Sequence, residues 1–335
     1  RAVLAAWKAE PKRAQDKIQD EVWTKAEPLG AFEEQQAPEP VAAAVTRERK
    51  ADETALPADT AEVLVVKGEV AVLTSRGDVL VGPGRSPLRT IASDAKGIAA
   101  EGKTLHVLFA KSPLSDRPAI ARYDLEKKKF QGELGAVATR LLWARKDAAV
   151  IERDGEVLLV DRENEQRLSG AVGAKLVDTG KGAVLVAPTD REGETRVVRL
   201  QSVGRRVDVK KTVAPVRLVT ICSIGERVYA SDDAGGLLAL RSFEIRPVRV
   251  GEILGESNSD TAVRRVIGAK ARLLIETDQG TFLLQKEGSV PLEVGVDPAA
   301  TFLRDSVTGE LYGLVGRSLR RWDDGRAGWI DVRVE

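Results

Sequence analysis

Short apolar runs bounded by Gly, Asp, Asn and Pro follow one another at close intervals from Ala61 onward. Runs of this kind are typical of β-strands joined by tight turns. The segment ERDGEVLLVDREN, residues 152–164, contains a turn, a strand and a second turn, and similar segments begin at Ser75, Ser231 and Thr277. Asp-Gly and related pairs reach the positive φ angles that two-residue hairpins need. The pattern therefore predicts hairpins that recur along the chain.

The predicted strands fall into seven groups of four, whose first strands begin near residues 62, 95, 137, 174, 216, 262 and 299. The spacing of about 40 residues is the length of one four-stranded propeller blade. One such sheet cannot bury both of its faces, whereas a closed ring of sheets buries them all. We therefore predict an all-β fold, a seven-bladed β-propeller of four-stranded antiparallel blades over residues 61–335. Rings of six or eight blades and a pair of β-sandwich domains are the alternatives, and the regular spacing favours seven blades.

An apolar residue followed by aspartate ends the third predicted strand of three groups, at Tyr123-Asp124, Val160-Asp161 and Trp322-Asp323. This ending resembles the Trp-Asp ending of WD40 repeats. WD40 blades usually add a Gly-His pair, whereas this chain has a single histidine. The Thr-Gly turn in SVTGELYGL, residues 306–314, resembles a quinoprotein-type blade and occurs once. The resemblance implies a divergent β-propeller outside the WD40 family proper.

Residues 1–28 are rich in Ala, Glu, Lys and Gln, and their large apolar residues fall at roughly helical intervals. They predict an amphipathic helical segment, and the polar, Pro-rich residues 29–60 predict an extended linker. A short helix has little core of its own, so its apolar side chains need a covering surface. We expect a partner protein to supply it, with a second copy of the chain or the ring itself as alternatives. The candidate contact residues are Val3, Trp7, Ile18, Val22 and Trp23.

The charges of the chain are nearly balanced, with 52 Lys and Arg against 51 Asp and Glu and a net charge of +1. This balance gives no general attraction to nucleic acid or to an anionic membrane, so such binding would need a local patch. One candidate patch lies on the predicted outer strand of the fourth blade and consists of Arg205, Arg206, Lys210 and Lys211. Cations on an edge strand also block unwanted sheet pairing, which is the preferred interpretation. Nucleic acid is not an expected partner.

The reactive side chains exclude most kinds of catalytic site. The single cysteine, Cys222, excludes an internal disulfide and any multi-cysteine metal site, and its apolar neighbours predict a small buried residue. With one histidine, His106, and no G-x-S-x-G turn, neither a zinc site nor a Ser-His-Asp triad is indicated. The segment GAKLVDTGKG, residues 173–182, departs twice from the phosphate-binding loop. We predict no catalytic residue, no metal and no cofactor.

Paired carboxylates are the remaining candidates for chemistry. Asp232-Asp233 and Asp323-Asp324 offer adjacent acidic groups to a cation such as calcium. Both pairs stand close before a glycine at a predicted turn, where Asp commonly makes local hydrogen bonds. The turn interpretation is preferred. An enzyme, or a small-ligand or metal binder, that uses carboxylates of the axial channel is kept as an alternative function.

The sequence predicts no membrane span, because no run of about 18 apolar residues occurs. The chain begins at Arg1 and contains no methionine, which indicates that a segment precedes it. A cytoplasmic location is expected, and a periplasmic one stays open. The abundance of Ala, Val, Arg and Gly indicates a GC-rich bacterial source.

The predicted function is that of a non-catalytic protein–protein interaction scaffold. We expect a propeller subunit of a larger bacterial assembly that docks a partner through its N-terminal helix and its propeller loops. The propeller enzyme or ligand binder is the first alternative. An adaptor that uses Arg and Lys edge strands to bind an anionic surface or nucleic acid is the second.

Overall fold

The computed structural model describes residues 55–333, except 85, 163, 171–172, 204–205, 242–243, 249–260, 270–271, 286–287, 292–299, 324–325 and 327. The predicted helical segment and linker therefore lie outside the described residues, apart from the last residues of the linker. The described strands form seven separate four-stranded sheets, and every sheet consists of four consecutive antiparallel strands. The prediction of a seven-bladed β-propeller is confirmed.

The first four blades contain strands β1 to β16. Their bounds are β1 Thr60–Val66, β2 Glu69–Thr74, β3 Val79–Pro83 and β4 Arg89–Ala92; β5 Ala95–Glu101, β6 Thr104–Phe109, β7 Ala119–Asp124 and β8 Lys129–Gly135; β9 Arg140–Arg145, β10 Ala148–Arg153, β11 Glu156–Asp161 and β12 Glu165–Gly170; β13 Lys175–Asp178, β14 Gly182–Pro188, β15 Thr195–Val203 and β16 Arg206–Ala214.

The last three blades contain strands β17 to β28. Their bounds are β17 Leu218–Ile224, β18 Arg227–Asp232, β19 Leu237–Arg241 and β20 Glu244–Val248; β21 Val263–Ala269, β22 Arg272–Thr277, β23 Thr281–Gln285 and β24 Gly288–Pro291; β25 Thr301–Arg304, β26 Leu311–Val315, β27 Ser318–Asp323 and β28 Gly328–Arg333. The largest departure from the predicted starts is at β9, which begins at residue 140 where 137 was predicted.

The first strand of every blade lies on the inside of the ring. First strands of neighbouring blades contact one another, and the fourth strand is the far edge of each sheet. A parallel bridge between Val65 and Asp305 shows that β1 and β25 run in the same direction. The inner strands therefore all begin at one end of the axial channel, which we call the entry end. They all finish at the other end, where turns join first to second strands, and we call this the hairpin end.

The turn that opens ERDGEVLLVDREN has the predicted hairpin geometry. Asp154 and Gly155 have φ angles of 51° and 76° and join β10 to β11. Positive φ at both central positions is the requirement of a type I′ turn, whose twist matches the flanking strands. The local sequence therefore determines where this blade folds back on itself.

The aspartates of the WD40-like endings terminate the third strands of their blades. Asp124, Asp161 and Asp323 are the last residues of β7, β11 and β27. Each carboxylate Oδ1 accepts the backbone N–H three residues later, over 2.9, 2.8 and 3.2 Å respectively. An aspartate in this position closes a local turn, which directs the chain into the fourth strand.

Alternate residues of each strand pack against the blades on either side. In β18, Tyr229 belongs to a buried cluster shared with the sixth blade, whereas Val228 and Ala230 belong to one shared with the fourth. Because side chains alternate across a strand, one short apolar run supplies both interfaces. The core is thus a set of layers between blades.

The ring is closed by contacts between the first and seventh blades. Leu56 is fully buried there, its N–H donates to the carbonyl of Arg317 (3.0 Å), and Nε of Arg317 donates back to the carbonyl of Leu56 (2.7 Å). At the other edge of the seventh blade, Nη2 of Arg333 donates to the carbonyl of Ser86 (2.5 Å). Closure therefore depends on packing and hydrogen bonds between two complete sheets.

Candidate functional site

The axial channel is the candidate site, because seven inner strands bring polar side chains together there. At the hairpin end, Arg145 of β9 lies between two carboxylates of neighbouring blades. Its Nη1 lies 3.5 Å from Oε1 of Glu101, and its Nη2 lies 3.1 Å from Oδ2 of Asp178. Asp178 also accepts the indole N–H of Trp143 at 2.9 Å. These contacts link the second, third and fourth blades by charge-assisted hydrogen bonds.

The same chain of contacts continues across the channel to the seventh blade. Ser223 of β17 donates its hydroxyl to the carbonyl of Asp178 (2.6 Å), and Nη1 of Arg304 donates to the carbonyl of Ser223 (2.8 Å). After β25, the hydroxyl of Ser306 donates to the carbonyl of Gly102 in the second blade (2.7 Å). We call this set of contacts the polar circuit. It joins blades that are not neighbours in the ring, so it spans the hairpin end of the channel.

His106 supports the polar circuit from within the second blade. Its side chain is 1% exposed, and Nε2 lies 3.3 Å from Oε2 of Glu101. Burial, together with the charges of Arg122 and Arg145, lowers the pKa of His106 despite the opposing effect of Glu101. Burial alone would raise the pKa of Glu101, but its hydrogen bond with His106 and the charges of His106 and Arg145 lower it overall. His106 is therefore buried within the second blade and held by Glu101.

The entry end of the channel is lined differently. Five consecutive blades, the second to the sixth, carry an exposed cation within one residue of the start of the inner strand. We call this set the cationic mouth, and it consists of Lys96, Arg140, Lys175, Arg217 and Arg264. Nζ of Lys175 donates to the carbonyl of Val219 in the next blade, which shows that the strand starts lie side by side.

One carboxyl group of the first blade lies near the cationic mouth. Oε2 of Glu62 accepts the N–H of Ile98 at 3.2 Å and so joins the first blade to the second. Burial raises the pKa of Glu62, although the hydrogen bond from Ile98 and the charge of Arg140 oppose this. Among the described residues, His, Cys, Asp and Glu form no group of three or more able to hold a metal ion.

Of the two predicted acidic pairs, Asp232-Asp233 stands at the turn between β18 and β19, and Asp323-Asp324 is described only at Asp323. Oδ1 of Asp232 accepts the N–H groups of Ala234 and Gly236, at 3.0 and 2.6 Å, which is the predicted local role. Asp324 lies outside the described residues. Cys222 is buried, and burial raises the pKa of its thiol to about 12, in agreement with the prediction of a small buried residue.

The candidate basic patch lies on β16, the outer strand of the fourth blade. Lys210 and Lys211 are exposed, and Nζ of Lys211 donates to the carbonyl of Arg167 in the third blade (2.7 Å). Arg206 begins the strand, and Arg205 lies outside the described residues. Strand β16 is far from the inner strands in its sheet, so this patch does not join the cationic mouth.

The five predicted partner-contact residues, Val3, Trp7, Ile18, Val22 and Trp23, lie outside the described residues. Docking through them stays a prediction. Sequence reasoning missed the polar circuit and the cationic mouth, whose members are scattered over most of the propeller. Each cation of the mouth lies within one residue of the start of its inner strand, so aligning the seven repeats at their first strands would have placed the five cations in neighbouring columns.

Comparison with known proteins supports the fold. No protein-family model matches the chain, and no curated protein matches it in sequence. The β-propeller domain of the Trilobed protease from Pyrococcus furiosus has a TM-score of 0.51 and 13% identity, covering 84% of this chain and 98% of that one. The tricorn protease has a TM-score of 0.53 and 9% identity, covering 86% of this chain and 36% of that one. The WD40 domain of SCAP from fission yeast has a TM-score of 0.42 and 13% identity, covering 69% and 63%.

The chain is a divergent seven-bladed β-propeller. At these identities, the likeness to the two protease structures shows the fold alone. Within the described part of this divergent propeller, no helix has the length and apolar character needed to cross a membrane.

Proposed function

We propose that this propeller is a non-catalytic scaffold for protein–protein interactions, a subunit of a larger bacterial assembly. The proposal is supported by the surroundings of the side chains near the channel that could otherwise act in catalysis. Glu101 and Asp178 are both engaged by Arg145, and His106 is buried against Glu101. The Cys222 thiol, with a pKa of about 12, stays protonated at neutral pH. Glu101 and Asp178 are thus engaged in contacts between blades, and His106 and Cys222 are buried, whereas a catalytic group must be able to reach a substrate.

The proposal assigns the apolar residues of the first 28 positions to docking on a partner. The experiment compares three proteins as bait for partner capture: the full chain, a chain lacking residues 1–28, and the double variant Trp7→Ala/Trp23→Ala. A matched control, Lys12→Ala/Lys17→Ala, changes two polar positions of the same segment. We expect the deletion and the tryptophan variant to lose the partner, and the lysine variant to retain it.

Circular dichroism of each bait checks that the propeller stays folded. Equal partner recovery by the full chain and by both altered proteins would contradict docking through this segment. A light-scattering measurement on the full chain separates the two alternatives: a dimer that the deletion converts to a monomer would assign the segment to self-association.

A further inference from the structure

At two positions of the cationic mouth, an irregularity in the pairing of the strands explains why the side chain is exposed. The pairing of β5 with β6 shifts register between Ala95 and Gly97, and that of β21 with β22 shifts between Val263 and Arg265. The extra residues are Lys96 and Arg264. A bulged residue leaves the alternation of the strand, so its side chain need not pack between blades. Two inner strands are thus bent so as to present a cation at the entry end.

Carboxylates neutralise the charges of the mouth only in part. Among the described residues, neither Lys96 nor Arg264 takes part in an ion pair. Arg140 has a partner, Glu152, with Nη1 and Oε1 3.7 Å apart. In the third to sixth blades, the described residues that lead into the inner strands, 138–140, 173–175, 215–218 and 261–264, carry no carboxylate. Around the starts of the inner strands, the five cations therefore outnumber the nearby carboxylates, Glu62 of the first blade and Asp94 directly before β5. An excess of positive charge on such a rim attracts ligands of the opposite charge.

The shape of the channel limits how a ligand can bind. The polar circuit spans the hairpin end, so a chain that reaches the mouth lies across it and does not thread through the ring. Every aromatic residue that the structure describes is buried or half-buried. Sites for single-stranded nucleic acid combine cations with exposed aromatic rings that stack on bases. The described residues of the mouth include cations but no exposed aromatic ring. This favours a peptide ligand over single-stranded nucleic acid.

We propose that the cationic mouth binds an extended acidic segment of a partner protein. The proposal rests on the proposed function, that of an interaction scaffold, and names the partner's chemistry. Arginine forms bidentate hydrogen bonds with carboxylates, and lysine adds compact charge. Clusters of such residues recognise acidic motifs in other proteins. Five cations spaced along an arc fit a run of Asp or Glu better than a single anion.

The experiment measures binding of a fluorescein-labelled peptide of alternating Glu and Ser to the full chain by fluorescence anisotropy. The mouth variant changes the five cations together: Lys96→Gln, Arg140→Gln, Lys175→Gln, Arg217→Gln and Arg264→Gln. The matched control also removes five exposed positive charges, but at the hairpin end: Lys127→Gln, Lys128→Gln, Lys129→Gln, Lys146→Gln and Lys181→Gln. Titrations at several salt concentrations report the number of ionic contacts. Thermal melts confirm that both variants stay folded.

We expect the mouth variant to bind the peptide about tenfold more weakly or worse, and the control to stay within about twofold of the wild type. Equal weakening in both variants, or no binding by the wild type, would overturn the proposal. A second titration uses labelled oligothymidine. Tighter binding of oligothymidine than of peptide, lost in the mouth variant, would also overturn it in favour of nucleic acid. Loss of peptide binding without loss of partner capture would leave the scaffold function standing, so the two proposals fail separately.

Discussion

Gly268 lies where the inner strands of the fifth and sixth blades approach each other closely. A Cβ built on Gly268 would lie 2.3 Å from the carbonyl oxygen of Ser223 and 3.2 Å from its carbonyl carbon. Non-bonded carbon and oxygen atoms normally stay more than about 3 Å apart, so in Gly268→Ala the two strands must separate by about 1 Å or distort. Gly268 is not in the positive-φ region, and the conflict is therefore one of space alone.

The separation would disturb two sets of contacts. It opens the buried cluster between these blades, to which Cys222, Val263 and Val266 belong. It also moves the Ser223 carbonyl away from Arg304, which donates to it at 2.8 Å. Overpacking of this kind costs typically about 1–3 kcal/mol, and the lost hydrogen bond to a charged group adds to it. We expect Gly268→Ala to lower the free energy of unfolding by about 3 kcal/mol.

The matched control is Gly170→Ala, at the end of the outer strand β12. A Cβ on Gly170 has nothing within 4 Å, and this glycine also lacks a positive φ. Its replacement should be neutral or slightly stabilising, by less than about 1 kcal/mol. Urea titrations followed by circular dichroism give both free energies, and thermal melts should place the Gly268 variant lower by about 5 °C or more. Similar stabilities of the two variants, within about 0.5 kcal/mol, would refute the packing argument.

Three further predictions test the groups of the polar circuit and its surroundings. Burial lowers the pKa of His106, so as the pH falls the unfolded chain binds a proton at this residue before the folded chain does. The contribution of His106 to the free energy of unfolding is therefore complete above about pH 6.5. It falls as the pH drops toward the folded-state pKa, at up to about 1.4 kcal/mol per pH unit. Urea midpoints should therefore vary less with pH between about 7.5 and 5 in His106→Gln, and identical slopes would contradict this. The lowered pKa of Glu101 acts in the same direction at more acidic pH, below about 4.5, where its stabilisation is lost. Cys222 should resist a thiol reagent in the native protein and react in denaturant, so rapid native labelling would contradict its burial. Arg304→Met removes the link from the seventh blade to Ser223 and should destabilise the ring by about 1–3 kcal/mol, measured against Ser223→Ala as the smaller change.

The fold could be predicted because each blade repeats the same local chemistry. The Asp154-Gly155 turn and the terminal aspartate Asp161 act within their own hairpins, where the chain neighbours alone determine the geometry. The unbroken apolar run Val228–Ala230 in β18 indicates burial on both faces of the sheet, and burial on both faces is what a ring of sheets provides. Such signals are local, so the sequence displays them directly.

The candidate site could not be predicted in the same way, because its members meet only through tertiary structure. Glu101, Arg145 and Asp178 each stand beside a hairpin turn, where a charged residue is normal, and nothing local indicates that they contact one another. The register shifts that expose Lys96 and Arg264 depend on how two strands pair. One residue's difference in pairing reverses which side chain faces solvent.

Each sheet of this ring is complete within one continuous stretch of chain, and the join between the first and seventh blades is made by side chains and a few backbone contacts. The join could therefore be bridged by a short designed peptide and the chain cut instead between two other blades, for example between β12 and β13. Such a circular permutant would keep all seven sheets intact. It would also place new termini at the entry end, beside the mouth, where a partner's acidic peptide could be fused directly to the ring.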